Sequence, residues 1–259
     1  MDKAFNFESF DIKLETDFIG RNFIYIEEID STNRFLSSSN EKYDNGTVVL
    51  AEKQTEGKGR KDRVWLSARG LNLTFSILLT EKKIILKNHQ LINLASSLCV
   101  ALSLENLYQL HPELKWPNDI LIDNRKICGI LIESTSKGSS LEKLIVGVGL
   151  NVNQAHFQGD FRIEPTSIKI EVDENVEREK VLAEYLNCFE EVLSKIKSNP
   201  SWITSEWRER CRMIGKRIAV TEDDKIRYGI FTDISEDGFL LLRNGSKVEE
   251  IHFGDISVT

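Results

Sequence analysis

The chain has 259 residues, of which 41% are hydrophobic and 29% charged, proportions that are typical of a folded globular protein and exclude a disordered chain. Its formal net charge of −7 argues against a protein that coats DNA or RNA, because that role requires an excess of basic residues. No uninterrupted apolar run approaches the roughly 20 residues that span a bilayer, and the first residues lack the apolar core of a secretory signal. The four cysteines and four histidines form no CxxC or HxxxH pair, so we expect no zinc site, no disulfide framework and a cytoplasmic location.

Hydrophobic patterning predicts a chain that mixes helices and strands. Residues 1–21 have no long periodic pattern, and we expect them to form a loosely attached N-terminal arm. Runs of strand-forming residues predict strands at 22–29, 47–51, 71–79, 120–123, 127–132 and 143–152. Apolar residues at helical spacing, with capping side chains at 30–33, predict helices at 34–38, 86–109, 176–197 and 202–210.

The sequence changes in character after Gly215. Short strand patterns follow one another at 216–220, 226–234, 239–242 and 248–251, separated by Asp-Gly and Asn-Gly turn signals. Such a series predicts a small β-barrel. We therefore predict three parts, an N-terminal arm at 1–21, an α+β domain at 22–212 and a barrel at 213–259.

The loop between the second and third predicted strands is basic on an otherwise acidic chain. Residues 53–69 hold six basic and two acidic side chains, a net charge of +4. Gly57 and Gly59 allow the backbone to approach a ligand, and the neighbouring cations can pair with phosphate oxygens. The loop does not match the phosphate-binding P-loop pattern, because Lys58 is followed by glycine. Charge alone is equally consistent with an anion site and with a solvated loop.

A second cluster, Lys115-Trp116-Pro117-Asn118-Asp119, has residues suited to a reaction centre. A lysine held at a strand end by the following Trp-Pro can neutralise a phosphoryl or carboxylate oxygen. Asn118 and Asp119 add acceptors that can orient groups or hold Mg²⁺. An ordinary surface turn would account for the same residues.

A third segment, Gly147-Val148-Gly149-Leu150-Asn151, has a superficial likeness to a dinucleotide-binding fingerprint. It lacks the third glycine and the helix that the fingerprint requires, so we interpret it as the interior of a strand. The candidate binding residue in this segment is Asn151, whose amide can bind a ligand where the glycines leave room.

Together these clusters resemble the biotin protein ligases, also called holocarboxylase synthetases. The matching segments are Asp-Ser-Thr-Asn (30–33), the run from Ala51 to Trp65, Lys-Trp-Pro-Asn-Asp-Ile (115–120), Lys-Ile-Cys-Gly-Ile-Leu (126–131) and Gly-Val-Gly-Leu-Asn (147–151). The resemblance implies an α+β catalytic domain, with a central mixed sheet and flanking helices of the biotin/lipoate ligase type, followed by an SH3-like barrel. It implies that biotin and ATP, with Mg²⁺, give biotinyl-5′-AMP and pyrophosphate. Biotin then moves to a lysine of a biotin carboxyl carrier domain of a biotin-dependent carboxylase.

The resemblance also implies residue roles. Lys115 and Arg60 match catalytic positions. The positions that match biotin contacts are Ser31, Thr32, Asn33, Gln54, Lys58, Gly59, Arg60 and Lys115. The positions that match the nucleotide pocket are Gly57, Arg63, Trp65, Asn118, Lys126, Gly129 and Asn151.

The chain departs from the family pattern in the basic loop. Lys58 replaces the usual first arginine, and Lys61-Asp62 stands where Arg-Gly is common. Because lysine cannot form the bidentate fork of arginine, we expect weaker retention of the adenylate.

Partners and alternatives follow from the same resemblance. About 20 residues precede the first predicted strand, too few for the DNA-binding domain of bifunctional members, so we expect no DNA partner. The family includes monomers and homodimers, and either is expected here. Two alternatives stay open, a lipoate protein ligase and a non-catalytic protein that binds biotin or biotinyl-AMP.

Overall fold

The structure, a computed structural model, describes residues 4–38, 42–61, 63–86, 89–138, 140–222 and 225–259. The helices in these residues are α1 (Phe7–Asp11), α2 (Thr32–Ser38), α3 (Lys82–Ile85), α4 (His89–Tyr108), α5 (Ile168–Val172), α6 (Arg178–Ser198) and α7 (Pro200–Glu209). The strands are β1 (Phe23–Ile29), β2 (Val48–Gln54), β3 (Leu73–Leu79), β4 (Glu113–Lys115), β5 (Asp119–Ile122), β6 (Arg125–Lys137), β7 (Ser140–Leu150), β8 (Arg217–Glu222), β9 (Lys225–Ile234), β10 (Leu240–Asn244), β11 (Lys247–Ile251) and β12 (Asp255–Val258). The predicted strands and longer helices are all present, with ends shifted by a few residues.

A seven-stranded sheet forms the larger part of the molecule, in the order β1-β2-β3-β7-β6-β5-β4. The β1–β2 pair is parallel and the others are antiparallel, so the mixed sheet that the resemblance implies is confirmed. Helices α4, α6 and α7 pack into the main core on one face. On the other face, Leu36 of α2 packs against Val49, Leu78 and Ile145. The sheet is therefore covered on both faces, which explains why the predicted strand at 47–51 is apolar without alternation.

Helix α4 is the one helix among the described residues that is long and apolar enough to cross a membrane. Its apolarity has another cause, because the helix is largely buried against the sheet and against α6 and α7. Short polar residues such as Ser96 and Ser103 interrupt its apolar face and bond within the core. The helix predicted at 86–109 is this helix, and the sequence contains no uninterrupted apolar run of that length.

The N-terminal arm is packed against the domain, so the expectation of loose attachment was wrong. Phe10 and Ile19 are fully buried. Glu190 of α6 accepts hydrogen bonds from the backbone N–H groups of Phe18 (3.0 Å) and Ile19 (2.8 Å). The arm contains only the short helix α1 and is held by these bonds and by aromatic contacts, which leave no periodic signal in the sequence.

The C-terminal residues form a second sheet of five antiparallel strands in the order β11-β10-β9-β8-β12. Its interior is apolar and includes Val220, Phe231 and Ile256. Trp116 donates from Nε1 to the carbonyl of Gly238 (3.3 Å), which ties this sheet to the Lys-Trp-Pro segment. Strand β12 was missed, because four residues after a glycine are too few to show alternation.

Candidate active site

A cavity of about 400 Å³ lies between the seven-stranded sheet, the basic loop, the segment after β7 and strand β12. It brings together residues from all three sequence clusters, and it is lined by every site residue named from the sequence except Gly57. Gly57 instead closes the base of the basic loop, where its carbonyl accepts a hydrogen bond from the N–H of Trp65 (2.8 Å). The residues that line the cavity are Ser31, Thr32, Asn33, Gln54, Lys58, Gly59, Arg60, Arg63, Trp65, Lys115, Asn118, Lys126, Gly129 and Asn151.

Neutral polar side chains surround one end of the cavity, called the α2 end and defined by Thr32, Asn33, Gln54 and Ser76. Gln54 Oε1 accepts hydrogen bonds from both the N–H (2.8 Å) and the hydroxyl (3.0 Å) of Thr32. The Ser76 hydroxyl lies 2.6 Å from Asn33 Oδ1 and 2.7 Å from Thr32 Oγ1. Helix α2 begins at Thr32, earlier than predicted, so Thr32 and Asn33 belong to its first turn. A buried network of this kind holds fixed donors and acceptors for a neutral polar ligand group.

The glycines of β6 and β7 form a floor on which two larger side chains rest. A Cβ on Gly147 would come within 3.0 Å of the Asn33 amide. A Cβ on Gly149 would come within 3.0 Å of the Trp65 indole, and Gly149 pairs with Gly129 on the adjacent strand. The Gly-Val-Gly run therefore seats two site residues, which explains it without a dinucleotide.

Two lysines and one carboxylate occupy the middle of the cavity. Lys115 at the end of β4 pairs with Asp119 of β5 in the sheet register. Lys126 forms a very short ion pair with Asp119, and its ammonium lies 5.7 Å from the centre of the Trp65 ring. Lys115 forms no ion pair with any described residue, and burial lowers its pKa despite the opposing effect of Asp119. The middle thus carries an excess of positive charge that an anionic ligand would neutralise.

Charged side chains surround the other end of the cavity, called the barrel end and defined by Arg60, Arg63, Arg162 and Asp255. Asp255 of β12 accepts two hydrogen bonds from Arg63 (2.8 and 2.7 Å) and lies 3.3 Å from both Arg60 and Arg162. Burial alone would raise the pKa of Asp255, but the arginines outweigh it and hold this pKa below the ordinary value. Asp255 and Arg162 were missed, because Asp255 is 192 positions from Arg63 and no local pattern links them.

The basic loop itself is a tight turn over the cavity. The N–H of Gly59 donates to the carbonyl of Arg63 (2.7 Å), and Lys58 forms a bridge with Val64. Lys61 has a φ of 53°, a left-handed conformation. Asp62, the second departure from the family pattern, lies outside the described residues, so the expected effect of Lys58 and of Lys61-Asp62 on the adenylate stays a prediction.

Two buried polar atoms beside the cavity have no hydrogen-bond partner among the described residues, Trp65 Nε1 and Asn151 Oδ1. The other side-chain atom of this amide, Asn151 Nδ2, is satisfied by the carbonyl of Thr166 (2.9 Å). Because buried polar groups are normally bonded, an unpaired donor and an unpaired acceptor indicate a polar ligand here.

The chain is similar to known proteins in both sequence and fold. A model described as the Biotin/lipoate A/B protein ligase family matches residues 25–151, and one described as the Biotin protein ligase C terminal domain matches residues 213–258. The bifunctional ligase/repressor BirA of Bacillus subtilis is 30% identical over 249 residues, which cover 95% of this chain and 76% of BirA. The biotin–[acetyl-CoA-carboxylase] ligase of Paracoccus denitrificans is 30% identical over 216 residues, covering 80% of this chain and 90% of that ligase.

A solved structure agrees with these matches. Biotin protein ligase from Aquifex aeolicus in complex with biotin and ATP is 30% identical, with a TM-score of 0.81 over 92% of this chain and 99% of its own. Fold and cavity together define an enzyme of the biotin/lipoate ligase class. Within that class, the chain belongs to the biotin protein ligase family. The fold and the family that the resemblance implied are confirmed.

Proposed function

We propose that this protein activates biotin with ATP to biotinyl-5′-AMP and transfers biotin to a lysine of a carrier domain of a biotin-dependent carboxylase. The observation that carries the proposal is one cavity lined by a group of neutral polar side chains, by two lysines beside Asp119 and by three arginines around Asp255. These three groups suit the neutral ring of biotin, its carboxylate and the phosphates of ATP. The biotin and ATP bound in the Aquifex aeolicus relative support the same choice.

In the first step, a biotin carboxylate oxygen attacks the α-phosphorus of ATP. A new P–O bond forms, the bond to the β-phosphate oxygen breaks, and pyrophosphate leaves with the bonding electrons. Two anions must approach, so fixed positive charge has to offset their repulsion. Lys115 and Lys126 lie at the middle of the cavity, and Arg60 can pair with a phosphate oxygen.

Mg²⁺ would enter as part of the substrate MgATP. The described residues contain no group of three acidic, histidine or cysteine side chains suited to a metal ion. This fits a magnesium ion that keeps its bonds to phosphates and water and needs at most one or two carboxylates. The carboxylates that line the cavity are Asp119, Asp160 and Asp255, and Asp119 and Asp255 are already paired with cations.

In the second step, the amine of the carrier lysine attacks the acyl carbon of the mixed anhydride. A C–N bond forms, the C–O bond to AMP breaks, AMP leaves as an anion and the amine proton passes to solvent. The basic loop, folded over the cavity, would shield the anhydride from water before the carrier arrives.

We propose that the nucleobase binds beside the two unpaired atoms. Asn151 Oδ1 is an acceptor suited to the exocyclic amine of adenine, and Trp65 Nε1 is an unpaired donor that a second atom of the nucleotide can bind. Phe157 and Phe161 also line the cavity and can offer apolar contact to the base.

The test is pyrophosphate release from biotin and MgATP without a carrier, measured beside a lipoate control. Biotin-dependent release is expected. Release with lipoate alone would assign the protein to the lipoate ligases. No release with either compound, together with tight biotin binding, would indicate a non-catalytic protein that binds biotin.

A further inference from the structure

The Asn33 amide at the α2 end is held on every side. Its nitrogen donates to Glu133 Oε2 (2.7 Å) and to the carbonyl of Leu131 (3.3 Å), both on β6. Its oxygen lies 2.6 Å from the Ser76 hydroxyl on β3. A carboxylate and a carbonyl can only accept, so the nitrogen of the amide must face β6 and the oxygen must face β3.

This orientation determines to which acceptors the neighbouring Ser76 and Thr32 hydroxyls can donate. Because Asn33 Oδ1 is an acceptor, the Ser76 hydroxyl can donate its single hydrogen there. Thr32 can then direct its own hydroxyl hydrogen to Gln54 Oε1. Gln54 Oε1 is also turned to Thr32 by the Thr32 backbone N–H (2.8 Å), which can only donate, so the Gln54 NH₂ group is left as a donor.

Glu133 lies outside the cavity, and among the described residues its carboxylate bonds only to Asn33. It is not one of the cavity-lining side chains, and it forms no ion pair with a described residue. The donor that it accepts from among these residues is the Asn33 amide. A carboxylate used in this way can fix the orientation of a neutral amide more firmly than a neutral acceptor would.

We propose that Glu133 is a positioning residue for biotin, which sets the orientation of Asn33 and through it the donor and acceptor pattern that the ring end of biotin meets. This rests on the proposed function. Neither the sequence motifs nor the cavity lining singles out Glu133. Its effect should fall on biotin and leave the nucleotide end unchanged.

The test compares Glu133→Ala, Glu133→Gln and the control Glu142→Ala, which lies on β7 in the same hairpin. Biotin affinity is measured by calorimetry without ATP, and KM for biotin and for ATP by pyrophosphate release. We expect Glu133→Ala to weaken biotin binding about tenfold, because that is the effect of losing one hydrogen bond to a charged group. KM for ATP should be unchanged. Glu133→Gln, which keeps an acceptor oxygen, should restore most of the affinity, and Glu142→Ala should match the wild type.

A double-mutant cycle with Asn33→Ala distinguishes positioning from general damage. If Glu133 acts through Asn33, Glu133→Ala should add little to the loss caused by Asn33→Ala. Additive losses, or biotin affinity within twofold of wild type in Glu133→Ala, would overturn the positioning role. Failure of the wild type itself to bind biotin would instead overturn the proposed function, and the positioning role with it.

Discussion

At the α2 end of the cavity the polar side chains are neutral and rest on the sheet, whereas at the barrel end they are charged and come from separate segments. The α2 end is built on β2, β3, β6 and the first turn of α2, all within one packed layer. The barrel end joins the basic loop, Arg162 and a strand of the second sheet. The difference implies that the biotin end is formed before any ligand binds, while the nucleotide end depends on contact between the two sheets.

The energetics of the two ends differ in the same way. Hydrogen bonds among buried neutral groups respond little to salt and pH. Ion pairs at a partly exposed surface are screened by salt and depend on ionisation. Changes at the α2 end should therefore alter biotin binding under all conditions, and changes at the barrel end should alter ATP use in a salt-dependent manner.

The largest effect is expected between the two ends, at Lys115. Lys115→Ala should lower the rate of biotinyl-AMP formation by roughly 100-fold or more, because it removes fixed positive charge where two anions meet. Biotin affinity should fall much less, since the α2 end is intact. Single-turnover pyrophosphate release and calorimetry measure the two quantities, with the exposed Lys180→Ala on α6 as control. Near-normal release in Lys115→Ala would remove Lys115 from the reaction.

The glycine floor allows the contacts proposed for biotin and those proposed for the nucleobase to be damaged separately. Gly147→Ala places a methyl group against Asn33, and Gly149→Ala places one against Trp65. Each clash should weaken the binding of one substrate by about tenfold, because overpacking is expected to cost roughly 1–3 kcal/mol. Gly147→Ala should raise KM for biotin, and Gly149→Ala should raise KM for ATP. Equal losses for both substrates in both variants would contradict the separation of the biotin contacts from the nucleobase contacts.

The same comparison explains how much the sequence could predict. Strands, helices and the clusters of the α2 end could be predicted, because each depends on neighbours close in the chain. The supports were missed where they depend on distant partners. Ser76 and Glu133 are ordinary residues inside strands, and their roles exist only once Asn33 lies between them. Asp255 gave no signal at all, since its strand is short and its arginines lie in remote segments.

A smaller effect is expected from Asp255→Asn at the barrel end. Loss of the carboxylate should leave Arg60, Arg63 and Arg162 without their shared partner and loosen the basic loop. We expect KM for ATP to rise about threefold to tenfold, in line with partly buried ion pairs, with biotin affinity unchanged. The difference from wild type should shrink as salt is raised. The control is Asp237→Asn, which changes an exposed carboxylate of the same sheet. An unchanged KM for ATP in Asp255→Asn would exclude a role for Asp255 in nucleotide use.

The smallest effect is the dependence of stability on pH at the same residue. The pKa of Asp255 is lowered from the ordinary value of 3.8, so its ion pairs stabilise the folded state above about pH 4 and this stability is lost as pH falls through the lowered pKa. Chemical denaturation of the wild type and Asp255→Asn should give a gap in unfolding free energy at pH 7 that closes in strong acid. No comparable loss is expected from Ser76, whose hydrogen bonds join neutral groups, so the wild type and Ser76→Ala should differ by the same amount at pH 7 and in strong acid. A gap for Asp255→Asn that is constant with pH would mean that its arginines do not stabilise the charged carboxylate, and the two ends would then be held by the same means.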